Sequence, residues 1–498
     1  MIDLTSENGT ETGKVELSFL HERLTKPRLM SEKLEKLWLN LVRNFTGKPL
    51  NLNFKDVVLT CLSGKRSEIY THLIHSYPAK MFPYIPTFLL SIPDLCPPNG
   101  IVLDPFCGSG TVLLESLAHP IYKRNAYGVE INPLARLIAK TKTTSLNERE
   151  IRKRINHLLE LIKKSRNTKI SYPDSDKIQF WFSNKAIHEL SKLKHATEQE
   201  GKDDDYKDFF WVCFSSIIRK VSKADPFIPP PVILNVHKYE NSPTKCRFLL
   251  KFLKYAENPG VLGLFREAVQ KNLVRIESLN RIEEVEQGKT RAQVIWDDAR
   301  QIRIGRLDCK GRLVKNNAKT LRSNSIDLVL TSPPYLTAQK YIRTQKLELL
   351  WLGMISESEI SRLEKEIIGS ELVSSKEVDF AESTGIRSVD SLIKWASSAS
   401  PQRAATLWKY FSEMRKAMSE MHRVLTKGGH AIVVIGNNKV LGRNVETYKL
   451  LADVATSYGF ELKLVLSDKV RKRGMITRRH NTGGLIKEDF VIVLRKED

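Results

Sequence analysis

Two short words, each entered from a run of apolar residues, restrict what this chain can fold into. Ile101-Val102-Leu103 runs into Asp104-Pro105-Phe106-Cys107-Gly108-Ser109-Gly110-Thr111. Ile326-Asp327-Leu328-Val329-Leu330 runs into Thr331-Ser332-Pro333-Pro334-Tyr335. Short apolar runs bounded by glycine and proline read as buried strands. The first continues as a helix at Val112–Leu117 and a second strand, Ala126-Tyr127-Gly128-Val129-Glu130, which makes one βαβ unit. A further helix starts after Asn132-Pro133. The class expected is α/β, Rossmann-like, around a largely parallel sheet.

The sheet pattern then stops. Residues 145–290 are mostly helical in periodicity and read as an inserted domain, with surface breaks expected at Glu198–Asp208 and Pro226–Pro231. Sheet patterning resumes at Val294-Ile295-Trp296. Residues 1–66 form an N-terminal helical segment, 67–144 the first half of the sheet domain and 291–498 its second half. Within that half, a charged helical stretch covers about 340–400. A helix at Leu407–Val424 is expected to end at a Lys427-Gly428-Gly429 cap, before a strand at Ala431–Ile435. Another helix spans Glu446–Tyr458, and the last two strands, Glu461–Leu466 and Phe490–Leu494, read as an antiparallel pair around a long basic loop.

Glycines at 108 and 110 let the backbone turn after a strand and approach a ligand without a Cβ in the way. About twenty residues on, Glu130 can bond two ribose hydroxyls. Two glycines with an Asp-Pro-Phe lead-in depart from the three-glycine pyrophosphate loop and favour S-adenosylmethionine over a dinucleotide. Asp104 can meet the cationic α-amino group of its methionine, or cap the loop backbone instead. Asp298 can accept from the adenine amino group, with Asp297 as its rival.

This constellation resembles the amino-methyltransferases of DNA, and specifically the N4-cytosine type, whose catalytic word is Ser-Pro-Pro-Tyr. N6-adenine relatives more often carry Asp or Asn at the first position; here Ser332 stands there, followed by Pro333, Pro334 and Tyr335. The resemblance covers about 75–140 and 294–498. It implies a seven-stranded S-adenosylmethionine methyltransferase sheet with a reversed last strand. It also implies cofactor contacts from Lys80, Asp104, Phe106, Gly108, Gly110, Thr111, Glu130, Asp298 and Thr331, with Tyr77-Pro78-Ala79-Lys80 touching the methionine end. The chemistry fits the residue types. An exocyclic amine is a poor nucleophile because its lone pair is conjugated with the ring. Ser332 Oγ and the Pro333 carbonyl can accept its hydrogens, and Tyr335 offers a stacking face once the base has left the duplex. Cytosine-C5 chemistry needs a nucleophilic Cys, in a Pro-Cys context in that family, and no such dipeptide occurs.

With 80 Lys and Arg against 57 Asp and Glu, the formal charge is +23, which suits double-stranded DNA as partner. Lys469–Asn481 is strongly basic, and Arg471, Lys472, Arg473, Arg478 and Arg479 are expected to grip phosphates. In the insertion, Ser216–Lys223 sets basic residues beside an apolar helix face, and Arg219 and Lys220 there are candidates for base readout. The layout departs from common ones, since the large insertion falls between Glu130 and Asp298 and no sizeable domain follows the sheet.

The six cysteines form no CxxC pair, so neither a metal site nor a disulfide framework is expected, and a reducing, cytoplasmic setting fits. No apolar run is long enough to span a membrane and the start lacks a signal peptide. A cognate restriction endonuclease is a possible partner. N6-adenine methylation, RNA methylation and non-catalytic DNA binding are the competing readings.

Overall fold

The computed structural model describes residues 27–62, 69–78, 80–165, 173, 177–336, 341–373, 383–470 and 486–497. Its main sheet comprises β1 (Leu50–Asn51), β2 (Val102–Asp104), β3 (Ala126–Val129), β4 (Ala292–Trp296), β5 (Ile326–Thr331), β6 (Leu425–Gly436), β7 (Phe460–Lys469) and β8 (Glu488–Lys496). The spatial order is β1-β7-β8-β6-β5-β2-β3-β4. All neighbours are parallel except β8, which is antiparallel to both β7 and β6. The sheet therefore has eight strands where seven were expected. The additional one, β1, is a two-residue edge too short to show alternation in sequence.

Both faces of the sheet are buried, as the apolar runs require. Alternation along β6 divides the core: Ala431, Val433 and Ile435 face one apolar cluster, Ile432 and Val434 the other. The helix at Pro27–Asn44 buries Leu34, Leu37, Trp38 and Leu41 in the second cluster, so this part of the N-terminal segment covers the sheet. The helix at Pro401–Val424 ends earlier than the glycines suggest. Leu425 is already extended and buried and pairs with Ile326, so Lys427-Gly428-Gly429 lies inside β6 instead of capping the helix.

The segment between β3 and β4 is built from helices at Glu148–Lys164, Asn184–Gln199, Asp205–Ile218, Pro243–Glu257 and Val261–Asn280, with shorter turns. Its apolar core is continuous with Leu134, Leu137 and Ile138 of the helix Pro133–Lys142 and with Leu347 and Trp351. The segment is thus packed onto the sheet layer. Two local expectations are corrected. Glu198–Asp208 is only partly a loop: Asp204 caps the next helix through the Lys207 amide, and buried Asp208 pairs with Lys140 at 2.7 Å. Ser216–Lys223 is not one helix, since the α-helix stops at Ile218 and a single 3-10 turn follows.

A two-stranded ribbon, Arg303–Leu307 with Leu313–Thr320, leaves β4 and seats its tip on the helix Pro133–Lys142. Arg136 Nε donates to the Gly311 carbonyl at 2.9 Å. Gly311 has φ +65°, and a Cβ there would lie 2.6 Å from the Leu137 amide nitrogen, so only glycine fits. Among the described residues no helix is long and apolar enough to cross a membrane.

Candidate cofactor and catalytic site

β2 and β5 are adjacent, with Leu103 opposite Val329, so the loops that follow them open side by side. This is where chain order in the sheet reverses, the place where open α/β sheets form a crevice. Asp104 ends β2 and Thr331 ends β5. The Thr331 hydroxyl donates to Asp104 Oδ1 at 2.6 Å, and the Phe106 amide donates to the same oxygen at 3.1 Å. Asp104 is buried, and neither of these two partners is a cation. Burial pushes its carboxyl up to about 7, against the downward pull of the Thr331 and Phe106 bonds. A buried carboxylate whose recorded partners are both neutral is suited to a cationic ligand.

The glycine loop closes onto β3. Glu130 accepts the Gly108 amide at Oε2 and the Asn132 amide at Oε1, each at 2.8 Å. Burial raises the Glu130 carboxyl, and those two amides and Arg136 act against it. Gly108 has φ +50° and nothing stands within 4 Å of where its Cβ would be. Gly110, at φ +78°, passes so close to Ala139 that a Cβ would sit 3.0 Å from that residue's own. The loop thus presents bare backbone towards open space, with a fixed carboxylate beside it, as a nucleoside with two ribose hydroxyls requires. Thr111 is buried as the first residue of the helix Thr111–Leu117, and half-buried Phe106 packs against the sheet core.

Two residues outside the expected set, Asn132 and Gln345, complete this wall together with Tyr77, which was expected at the methionine end. Asn132 Nδ2 donates to the Tyr77 hydroxyl at 3.2 Å and to Gln345 Oε1 at 2.8 Å. Gln345 is buried, and its Nε2 has no hydrogen-bond partner among the described residues. A buried amide with an idle donor costs free energy until a ligand accepts from it. Together with the acid at 104 and the open backbone at 108, it makes the pocket chemically compatible with S-adenosylmethionine. In the sequence, Asn132 stands out only as a helix start. Gln345 lies in a charged helical stretch with no motif to mark it.

Not every expected contact is available. Lys80 Nζ donates to the carbonyls of His72 at 3.1 Å and His75 at 2.6 Å, and burial lowers its ammonium to about 8, so it braces its own loop. Asp298 is held by Arg300, at 2.8 Å to Nε and 3.1 Å to Nη2. Its rival Asp297 pairs with Lys315 at 2.7 Å.

The Ser332–Tyr335 loop is anchored by several elements. The Tyr410 hydroxyl donates to the Pro334 carbonyl at 3.1 Å, and Asn438 Nδ2 to the Leu336 carbonyl at 2.6 Å. Tyr335 donates its hydroxyl to Asp489 of β8 at 3.1 Å. Burial, then the Asp489 charge, raises that phenol well above its ordinary range, so it stays protonated. The Pro334 carbonyl is thus taken by Tyr410.

On the nucleic-acid side, Arg219 spends its guanidinium on the carbonyls of Asp225, Ile228 and Pro229, clasping the proline turn. It is a structural residue here, and only Lys220 of the pair is exposed. Arg471, Lys472, Arg473, Arg478 and Arg479 lie outside the described residues.

A family model described as DNA methylase (N6_N4_Mtase) matches residues 31–141, which take in the glycine loop, Glu130 and Asn132 but not Thr331–Tyr335. The chain is similar to the Type II methyltransferase M.MvaI of Kocuria varians, with 27% identity over 426 residues, 82% of this chain and 85% of that protein. It is also similar to the Type II methyltransferase M.MjaII of Methanocaldococcus jannaschii, at 26% identity over 190 residues, 35% of this chain and 34% of that one.

Proposed function

We propose that this chain, which belongs to the N6/N4 family of DNA methyltransferases, methylates the exocyclic N4 amine of cytosine at a specific site in duplex DNA. The observation that carries the reading is Ser332 at the head of a proline loop whose parent strand is bonded to the glycine-loop strand through Thr331 and Asp104. S-adenosylmethionine, when bound, supplies a methyl group on a sulfonium centre. Asp104 is suited to its cationic methionine end, Gly108 and Gly110 to close backbone approach, and Glu130 to the ribose. Phe106 and Thr111 line the same loop. Lys80 and Asp298 serve indirectly, by bracing their own loops, because their charged groups are already engaged.

The protein's work on the base is positional. The target cytosine leaves the stack, at a cost of a few kcal/mol, and lies against Tyr335. Ser332 Oγ and the Pro333 carbonyl accept the two amine hydrogens, which turns the nitrogen lone pair out of conjugation and towards the methyl carbon. On methyl transfer, one amine proton would leave by way of these acceptors. Pro333 and Pro334 fix φ, and Tyr410 holds the second carbonyl back. The seven strands other than β1 correspond to a methyltransferase sheet with β8 as its reversed strand, and 145–290 serves as the recognition domain. The Type II names of its relatives favour a role in restriction-modification, beside a cognate endonuclease, inside the cell.

Labelled S-adenosylmethionine incubated with genomic DNA, and in parallel with cellular RNA, tests the reading. Label in DNA that disappears with Ser332→Ala supports it. Label in RNA alone removes the substrate assignment.

A further inference from the structure

The insertion carries one face that its own packing does not explain. Along Pro243–Glu257, Leu249 and Ala256 are fully buried against neighbouring helices. The opposite side presents Arg247, Phe248, Lys251, Lys254 and Tyr255, all exposed, which the helical repeat places together on one face. Phe248 is 51% and Tyr255 40% exposed. Phe248 packs on Phe227, which packs on Tyr239, both with ring centroids 5.7 Å apart, and Lys245 Nζ stands 5.5 Å from the Phe227 ring. Glu257, at the helix end, is occupied by Lys223 at 2.7 Å. None of Arg247, Lys251 and Lys254 is in an ion pair among the described residues.

This face is tied to the catalytic side. Tyr239 donates to Asp225 Oδ2 at 2.7 Å, and Asp225 lies in the turn clasped by Arg219. The Lys223 amide bonds the Trp181 carbonyl at 2.7 Å, and Lys346, in the helix after the catalytic loop, stands 4.1 Å from the Trp181 ring.

We infer that the Arg247–Tyr255 face of this helix is the surface on which the insertion meets duplex DNA, its cations on phosphates and its aromatic stripe against the sugar and base edges. The inference rests on the DNA reading above. Three uncommitted cations flanking exposed rings complement a polyanion with flat apolar parts, whereas a second copy of the same face would meet like charge. The surface replaces Ser216–Lys223, where Arg219 is occupied by backbone carbonyls.

The test uses the full chain and a fluorescent random-sequence duplex of about 30 base pairs, titrated at several salt concentrations. With Arg247→Ala, Lys251→Ala and Lys254→Ala combined, the slope of log K against log salt should shrink by about 2 to 3, and low-salt affinity should fall at least tenfold. A folded variant with unchanged slope and affinity overturns the inference. Should that variant not fold, acetylation of the native protein decides: Lys251 and Lys254 should be shielded when duplex is added. Equal labelling with and without DNA overturns the inference, and so does concentration-dependent shielding without DNA, which would put a second copy there. Because the readout is binding, methylation of a different base would sink the cytosine assignment alone, and methylation of cytosine with these lysines unshielded would sink this inference alone.

Discussion

Thr331 and Asp104 stand 227 residues apart in sequence, and their side chains meet at 2.6 Å. One ends the strand that leads into Ser332-Pro333-Pro334-Tyr335, the other the strand that leads into the glycine loop. In the function proposed above, this bond would set where the methyl acceptor is held relative to the cofactor's cationic end. It also pulls the Asp104 carboxyl down against the burial that raises it to about 7.

Cofactor affinity should therefore depend on pH. A cation needs Asp104 ionised, and with the carboxyl near 7 the ionised fraction falls as pH drops. Affinity should weaken by up to ~10-fold per pH unit below that point. Thr331→Val should move the inflection to higher pH, and Asp104→Asn should remove it. Stability of the unliganded protein runs the other way. A carboxyl raised from 3.8 to about 7 binds its proton more tightly when folded, so this contribution is lost as pH rises through that window. Calorimetric titrations across the range read the first effect and thermal melts the second.

Gly128→Ala should destabilise the fold and loosen the glycine loop together. A Cβ there would lie 2.7 Å from Cys107 Sγ and 2.9 Å from Leu113 Cδ1. Overpacking of this kind costs ~1–3 kcal/mol, readable as a lower melting temperature. Gly108→Ala should divide differently: its left-handed φ costs about 1–2 kcal/mol, and because the Cβ points into open space, cofactor affinity should fall further than stability.

Tyr410→Phe removes only the hydroxyl that restrains the Pro334 carbonyl. The stability loss should be ~0.5–1.5 kcal/mol. Turnover should drop about ten- to a hundredfold, because reacting groups misplaced by about an ångström lose that much. Unchanged kcat would show that the proline loop is held without this bond.

Arg219→Ala should act on the insertion's structure. It strands the carbonyls of Asp225, Ile228 and Pro229, costing ~1–3 kcal/mol, while the salt dependence of DNA binding in the folded fraction stays as in the parent chain. A reduced salt slope would return Arg219 to the DNA interface.

The strands next to the site were legible because both faces of the sheet are buried and the apolar runs are continuous. The glycine loop, Glu130 and the proline word were legible because they are local words with fixed spacing. What escaped depends on contacts distant in sequence. Gln345 meets Asn132 across 213 residues, and Tyr410 meets Pro334 across 76. No periodicity marks either. Charge misled in one consistent way: Lys80, Arg219 and Asp298 looked free in sequence, but folding gives each a backbone or side-chain partner that composition cannot show. The glycines at 428 and 429 looked like a helix cap because a helix precedes them, yet pairing of Leu425 with Ile326 draws the chain into the sheet first.

The central claim is that Ser332–Tyr335 presents a cytosine amine to the methyl donor. It is tested most directly by digesting DNA methylated in vitro to nucleosides and identifying the modified one by mass spectrometry. N4-methylcytosine, absent with Ser332→Ala, is the predicted product. N6-methyladenine from the same digest would contradict the claim and show that the serine at the head of the loop does not choose the base.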